Sequence, residues 1–339
     1  MFSIPWHRPT PRRRFVVLRV EELESRTTPS VNPLSASDSF YSYDPFSRTL
    51  TVTGTAPQTL FGFSQSATAD ATGLHTVYSL NMNGNFQQVT NTDVATIIVN
   101  GQGAFNTAGI ITNDTYVGTD GLRHETAESV SIGNGGGTVQ KLDAQGNATP
   151  FITLTGFQTI YATAGHADQG FLLCTPGRNN TFVGAGGYAY MLSGANFYYI
   201  SGALYVYSFA LSPGMDFAYQ YDGSGPSAFV VNGQANSFML GTDRGQSFFN
   251  EGVGYSIHSD AIAQHAGDTA FFYDGPTDDS FAGFTLQASI VFNFTGEQRS
   301  ILTASYFSQV FAFSTHGGFD VAAVYDAQVN HQTGFIPRT

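Results

Sequence analysis

The chain holds a single cysteine, Cys174. No intrachain disulfide can form, which excludes a small cross-linked scaffold. Nothing resembling a Cys-His pair lies nearby, so Cys174 reads as a small buried apolar residue rather than a nucleophile. Positive charge is also scarce. Lys141 is the only lysine, the formal net charge is −12, and charged residues make up 11% of the chain. The basic residues are unevenly placed: Arg8, Arg12, Arg13, Arg14, Arg19 and Arg26 precede an even more acidic remainder. An acidic body repels phosphate backbones and anionic lipid, which excludes nucleic-acid binding and adhesion to such membranes. No stretch approaches the roughly 20 apolar residues of a membrane span.

What is abundant points one way. The chain has 38 Gly, 30 Phe and 17 Tyr among 339 residues. So many aromatics with so little charge are not the composition of a disordered chain. Aromatic residues, Thr, Val and Gly suit strands joined by tight turns. Alternation is frequent. Tyr205, Tyr207 and Phe209 share one side of a strand, with Val206, Ser208 and Ala210 on the other. Phe311 with Phe313, and Ile290, Phe292 and Phe294, repeat the two-residue spacing of a strand. After residue 30 no helical pattern of useful length occurs. Taken singly, each Tyr or Phe is expected to fill the core.

A repeat organises the second half. The segments GHADQGFLLC (165–174), GMDFAYQYDG (214–223), GDTAFFYDG (267–275) and GGFDVAAVYD (317–326) align on Asp168, Asp216, Asp268 and Asp320. Those aspartates are 48, 52 and 52 residues apart. An apolar strand precedes most of them and a second follows, as in NNTFVG (179–184), SAFVV (227–231) and DSFAG (279–283). The third copy departs from the pattern before its Asp, at residues 255–265. Weaker echoes occur at residues 93–103 and in the turns at 134–137 and 143–147. Residues 1–30 are expected to be an export or sorting segment, Pro/Arg-rich and disordered at 1–14 and helical at 15–26. Residues 31–150 form a β-rich region with degenerate repeats, and 151–339 the regular region. The fold class is all-β, a repeat solenoid resembling a parallel β-helix, with a β-propeller as the alternative architecture for a period near 50.

An N-terminal segment and several repeat segments carry a family resemblance. LRVEELESRTTPS (18–30) resembles the L-x-x-E-x-L-E-x-R-x-x-P segment near the start of many large planctomycete proteins. YDGSGPSAF, DTAFFYDGPTDDSFAG and FDVAAVYDAQVNH are similar to repeats of planctomycete surface proteins, with LTVTGTA (50–56) and IIVNGQG (97–103) similar to their N-terminal partner segments. The resemblance implies export to the cell surface or medium, and it carries no activity across. Arg12-Arg13-Arg14-Phe15 fits the core of a twin-arginine signal, but Arg19, Glu21, Glu22 and Glu24 interrupt the apolar stretch that a cleavable signal needs.

Catalytic motifs are thin. Calcium-binding β-rolls need Gly and Asp together in stacked turns. Here Asp222-Gly223-Ser224-Gly225 runs into Pro226-Ser227, and Asp274-Gly275-Pro276 lacks a Gly. Structural calcium is the one cofactor the turns leave open; plain Asp-Gly turns are favoured. A glycosidase needs two convergent carboxylates, and the adjacent Asp278 and Asp279 read as a solvated turn instead. Of the eight histidines, His166 with Asp168 is the nearest thing to a zinc pair. No G-x-S-x-G occurs. We expect no enzyme, no catalytic or metal residue, and an exported structural or adhesive protein that contacts glycan or protein. The alternative is a lyase or glycosidase on a β-helix.

Overall fold

The computed structural model describes residues 40–336, except 55–57, 71–72, 91–93, 113–114, 118–122, 126, 144, 211–215, 234–235, 256–257, 285, 294–298 and 325–331. The expected export segment, 1–30, lies outside the described residues. The described chain is all-β, and its strands form two long sheets of 14 strands each, here sheet A and sheet B. A short antiparallel ribbon, Thr115–Val117 with Arg123–Glu125, stands apart. Two stacked sheets, with the chain crossing repeatedly between them, make a β-solenoid. A propeller would have divided these strands among separate radial blades. Among the described residues no helix is long and apolar enough to cross a membrane.

Each unit of about 50 residues contains five strands. Three form an antiparallel meander on one sheet; the fourth crosses to the other sheet and the fifth returns. The meander Asn180–Ala185, Tyr188–Ser193, Asn196–Ser201 lies on sheet B. Tyr205–Phe209 then crosses to sheet A and Phe217–Tyr221 returns to sheet B. The next meander, Ser227–Asn232, Ser237–Asp243, Gln246–Val253, lies on sheet A. Successive units therefore occupy alternate sheets. The meander Asp279–Gly283, Gln287–Asn293, Arg299–Ser305 is back on sheet B. Units meet through parallel pairs, such as Tyr205–Phe209 beside Gln246–Val253 and Thr269–Tyr273 beside Gln309–Phe313.

The N-terminal echoes have the same plan. Leu60–Asp70, Gly73–Met82 and Asn85–Thr90 make a meander on sheet B, followed by Thr96–Asn100 on sheet A and Thr107–Ile111 on sheet B. The ribbon is an insertion before the next meander, which begins at Glu128. Both sheets run through residue 150, which sits inside Ala148–Thr155. Hairpins inside the meanders use tight turns. Asn134 and Gly135 both take positive φ, 50° and 75°, as a two-residue turn matched to strand twist requires.

The core lies between the sheets. In the C-terminal units it holds Phe229, Met239 and Phe272 against Phe281, Ile290 and Phe292. Each such side chain contributes roughly 1.5–3 kcal/mol by leaving water. Other aromatics point outward. Val206 and Ser208 are buried while Tyr205, Tyr207 and Phe209 line the outer side of the same strand. The expectation that each aromatic fills the core therefore fails for this set, because small residues occupy the inward positions.

Candidate functional site

The repeated aspartates converge on one structural job. Each precedes the fifth strand of its unit and accepts a hydrogen bond from the backbone N–H at the start of the meander about 40 residues earlier. The pairs are Glu128 N to Asp168 Oδ1 at 2.8 Å, Asn180 N to Asp216 Oδ1 at 3.0 Å, Ser227 N to Asp268 Oδ1 at 2.7 Å, and Asp279 N to Asp320 Oδ1 at 3.0 Å. A fifth rung escaped the sequence reading because its side chain is an amide: Thr59 N donates to Asn106 Oδ1 at 2.9 Å. At Asp168 and Asp268 the second carboxylate oxygen closes the local turn, whereas the buried Oδ2 of Asp216 takes no hydrogen bond among the described residues. Gly165 N donates to Asp168 Oδ2 at 2.6 Å, and His265 N to Asp268 Oδ2 at 3.0 Å. Asp168, Asp216 and Asp268 are fully buried, so these bonds are what make burial of a carboxylate tolerable.

Six residues after four of the five anchors lies a second recurring position: Thr112, Cys174, Asp222 and Asp274. Its backbone N–H bonds the neighbouring coil in every case, to Thr163, Phe209, Ile262 and Phe313 respectively. Its side chain approaches the anchor of the following unit. Thr112 Oγ1 donates to Asp168 Oδ2 at 3.2 Å. Cys174 faces Asp216, and burial first, then that charge, pushes its thiol up to about 12. Such a thiol is neutral and is no nucleophile. In the third rung the pair is Asp222 with Asp268. Two carboxyl groups in contact need a proton or a positive neighbour, and His265 supplies one: its Nδ1 lies 2.7 Å from Asp222 Oδ2. At the next such position His316 Nδ1 lies 3.1 Å from Asp274 Oδ1.

The electrostatics follow the contacts. The hydrogen bond to Asp222 holds the His265 imidazolium above its usual range. Burial raises Asp268, and contact with Asp222 adds to the rise. Asp274 is lowered in spite of burial, because Thr315 and His316 donate backbone N–H groups to it.

The structure corrects three expectations. Asp279 is not in a solvated turn: it is buried, and its Oδ2 accepts from Gly275 N at 2.6 Å. Asp222 and Asp274 are buried cross-coil acceptors rather than plain turn residues: Gln264 N donates to Asp222 Oδ2 at 2.7 Å and Thr315 N to Asp274 Oδ1 at 2.8 Å. His166 and Asp168 do not share a strand face: His166 lies in the turn before Asp168. The group of potential metal ligands among the described residues is another one, Asp222, His265 and Asp268, whose ligand atoms lie within 4.8 Å of one another. Spacing could not reveal it, since Asp222 is 43 residues from His265.

Asp274, Asp279 and Asp320 line one pocket together with Phe272, Phe281 and Val321. A glycosidase requires two carboxylates converging in a cleft, and this pocket holds three. Here each is already engaged, Asp279 by Gly275 N, Asp274 by Thr315 and His316, and Asp320 by Asp279 N and the Ser314 hydroxyl at 2.6 Å.

The other functional candidates are the outer faces. On sheet A, Phe171, Tyr207 and Phe209 stack with ring centroids 5.4–6.5 Å apart. Phe271 stacks on Phe311 at 5.5 Å and Tyr273 on Phe313 at 4.9 Å. Glu251 lies in register between Tyr207 and Phe238, and burial raises its carboxyl. Sheet B carries Tyr161, Phe197, Tyr199, Tyr188 and Tyr190, with centroids 5.6–6.1 Å apart.

Fold and rungs together define a two-sheet β-solenoid closed by buried aspartates, with aromatic ladders on both outer faces. No protein-family model, curated protein or solved structure matches the chain.

Proposed function

We propose that this is an exported surface protein with a structural or adhesive role and no catalytic activity, contacting glycan or protein through its outer faces. The observation that carries the reading is the pair of outward aromatic ladders. Aromatic side chains exposed in ordered rows are costly to leave in water unless a partner covers them. The engagement of the buried carboxylates by backbone donors supports the absence of acid–base chemistry. Residues 18–30 support export through their resemblance to the planctomycete segment. The alternative, a polysaccharide-active enzyme, is favoured by the pocket holding Asp274, Asp279 and Asp320. One experiment separates them: the full chain is incubated with a polysaccharide panel, and both retention and release of new sugar ends are measured. Retention without release is expected. Release that disappears in Asp279→Asn would replace this reading with the enzymatic one.

A further inference from the structure

The outer face of sheet B holds an area with no charge at all. Six neighbouring strands make it: Thr107–Ile111, Thr159–Thr163, Asn196–Ser201, Tyr188–Ser193, Asn180–Ala185 and Phe217–Tyr221. None contains Asp, Glu, Lys, Arg or His. In a body of net charge −12, such a gap stands out. Registers align Gly109, Tyr161, Tyr199, Tyr190, Val183 and Tyr219 in one row across all six strands. At the strand spacing of about 4.8 Å this row runs roughly 24 Å. The alternate positions, Ile160, Tyr198, Met191 and Phe182 among them, are wholly buried. The face therefore rests on a packed layer and its side chains have little freedom to retreat. Tyr161 is 47% exposed, Tyr188 41% and Leu192 44%.

We propose that this face binds an extended, uncharged polysaccharide lying across the strands along the tyrosine row. The inference rests on the adhesive reading above and gives it a site and a ligand class. Three features select the ligand. Anionic glycans and nucleic acids find no countercharge here and are repelled by the acidic body. A basic partner would be drawn to the acidic loops, away from a neutral sheet. A protein partner gains most of its affinity from a few anchors seated in pockets, whereas a pleated face offers a flat surface with a period close to the length of one sugar ring. Tyrosine supplies an apolar ring body with a hydroxyl tip. Thr159, Thr163, Thr181 and Ser201 on the same face add hydroxyls that match those of a sugar chain.

The test uses the full chain on insoluble cellulose and chitin, and in native gels containing soluble uncharged glucan, with polygalacturonate as the anionic comparison. Tyr161→Ala/Tyr199→Ala removes the centre of the row. Phe271→Ala/Phe311→Ala makes an equal change on sheet A. The uncharged polymers should retain the wild type and the sheet A variant, while the tyrosine variant binds at least about tenfold more weakly. Added salt should leave retention unchanged. Should the tyrosine variant fail to fold, Tyr161→Ser/Tyr188→Ser at the more exposed positions takes its place. Equal retention by the tyrosine variant would overturn the site while leaving the adhesive reading intact. Retention by polygalacturonate alone, or by a protein ligand but by no polysaccharide, would overturn the ligand class.

Discussion

The backbone N–H of Ser227 donates to Oδ1 of Asp268 at 2.7 Å, joining positions 41 residues apart. The same carboxylate takes the N–H of His265 at 3.0 Å. One buried side chain thus ties the start of a meander to a turn in the neighbouring coil; Asp168 repeats both bonds, and the bond from the meander start recurs at Asp216 and Asp320.

Replacing Asp268 with alanine should therefore leave two backbone donors without partners. Each buried orphan costs about 1–3 kcal/mol, so Asp268→Ala is expected to destabilise by roughly 2–6 kcal/mol. Asp268→Asn keeps one acceptor oxygen, as Asn106 does naturally opposite Thr59, and should lose less. Denaturant midpoints of the two variants give the comparison. Equal loss would mean that the acceptor is not what matters at this position.

Glycine at a coil corner makes a second, sharper case. Gly202 has φ +87°, and a Cβ there would stand 2.2 Å from the carbonyl oxygen of Ala164. Gly84 has nearly the same φ, +88°, but nothing within 4 Å. Gly84→Ala should cost about 1 kcal/mol, the conformational term alone. Gly202→Ala adds a backbone clash and should cost several-fold more, or prevent folding. Melting temperatures of both variants would show the gap.

The period was readable from sequence because two signals are local: alternation with a spacing of two, and Asp before an apolar strand. The rest depends on which face of each strand turns inward, and alternation is silent on that. In Tyr205–Phe209 the larger residues face out while Val206 and Ser208 face in, so hydrophobicity points the wrong way. Asn106 is invisible to a pattern of carboxylates, although its amide oxygen accepts the same bond. The position of Thr112, Cys174, Asp222 and Asp274 was missed because a hydroxyl, a thiol and a carboxyl share no residue type. They share only a place six residues after the anchor. The change of sheet from unit to unit leaves no local trace, since both sheets bury similar residues.

The His265 cluster should make stability fall as pH rises through neutrality. The folded value of His265 is raised above 6.5 by Asp222. Its contribution is then complete below 6.5 and is lost as pH climbs through the higher folded value. Asp268 is raised from 3.8, which has the same sign: the folded state holds its proton more tightly, so stability falls as pH rises from 3.8 through the folded value. Asp274 is lowered and acts oppositely, losing its contribution only in acid below 3.8. Melting temperature should drop from mildly acidic to mildly alkaline pH, and His265→Gln should flatten that drop. A profile identical to the wild type would remove His265 from the account.

Calcium should not be needed to hold the solenoid together. Calcium-loaded repeats stack oxygen ligands at every turn, and the ion prefers 6–8 of them. Here the turn carboxylates already receive N–H donors: Asp222 from Gln264, Asp274 from Thr315 and His316, and Asp279 from Gly275. The group that brings three ligands together includes His265, a nitrogen donor that calcium disfavours. Between the sheets, Phe229, Phe272 and Phe292 are buried almost completely, and burial of that kind stabilises without metal. Thermal melts of the full chain with excess chelator and with millimolar calcium should coincide. A large rise in melting temperature with calcium, or loss of the strand spectrum in chelator, would make Asp222, Asp274 and Asp279 ligands and the rungs metal sites.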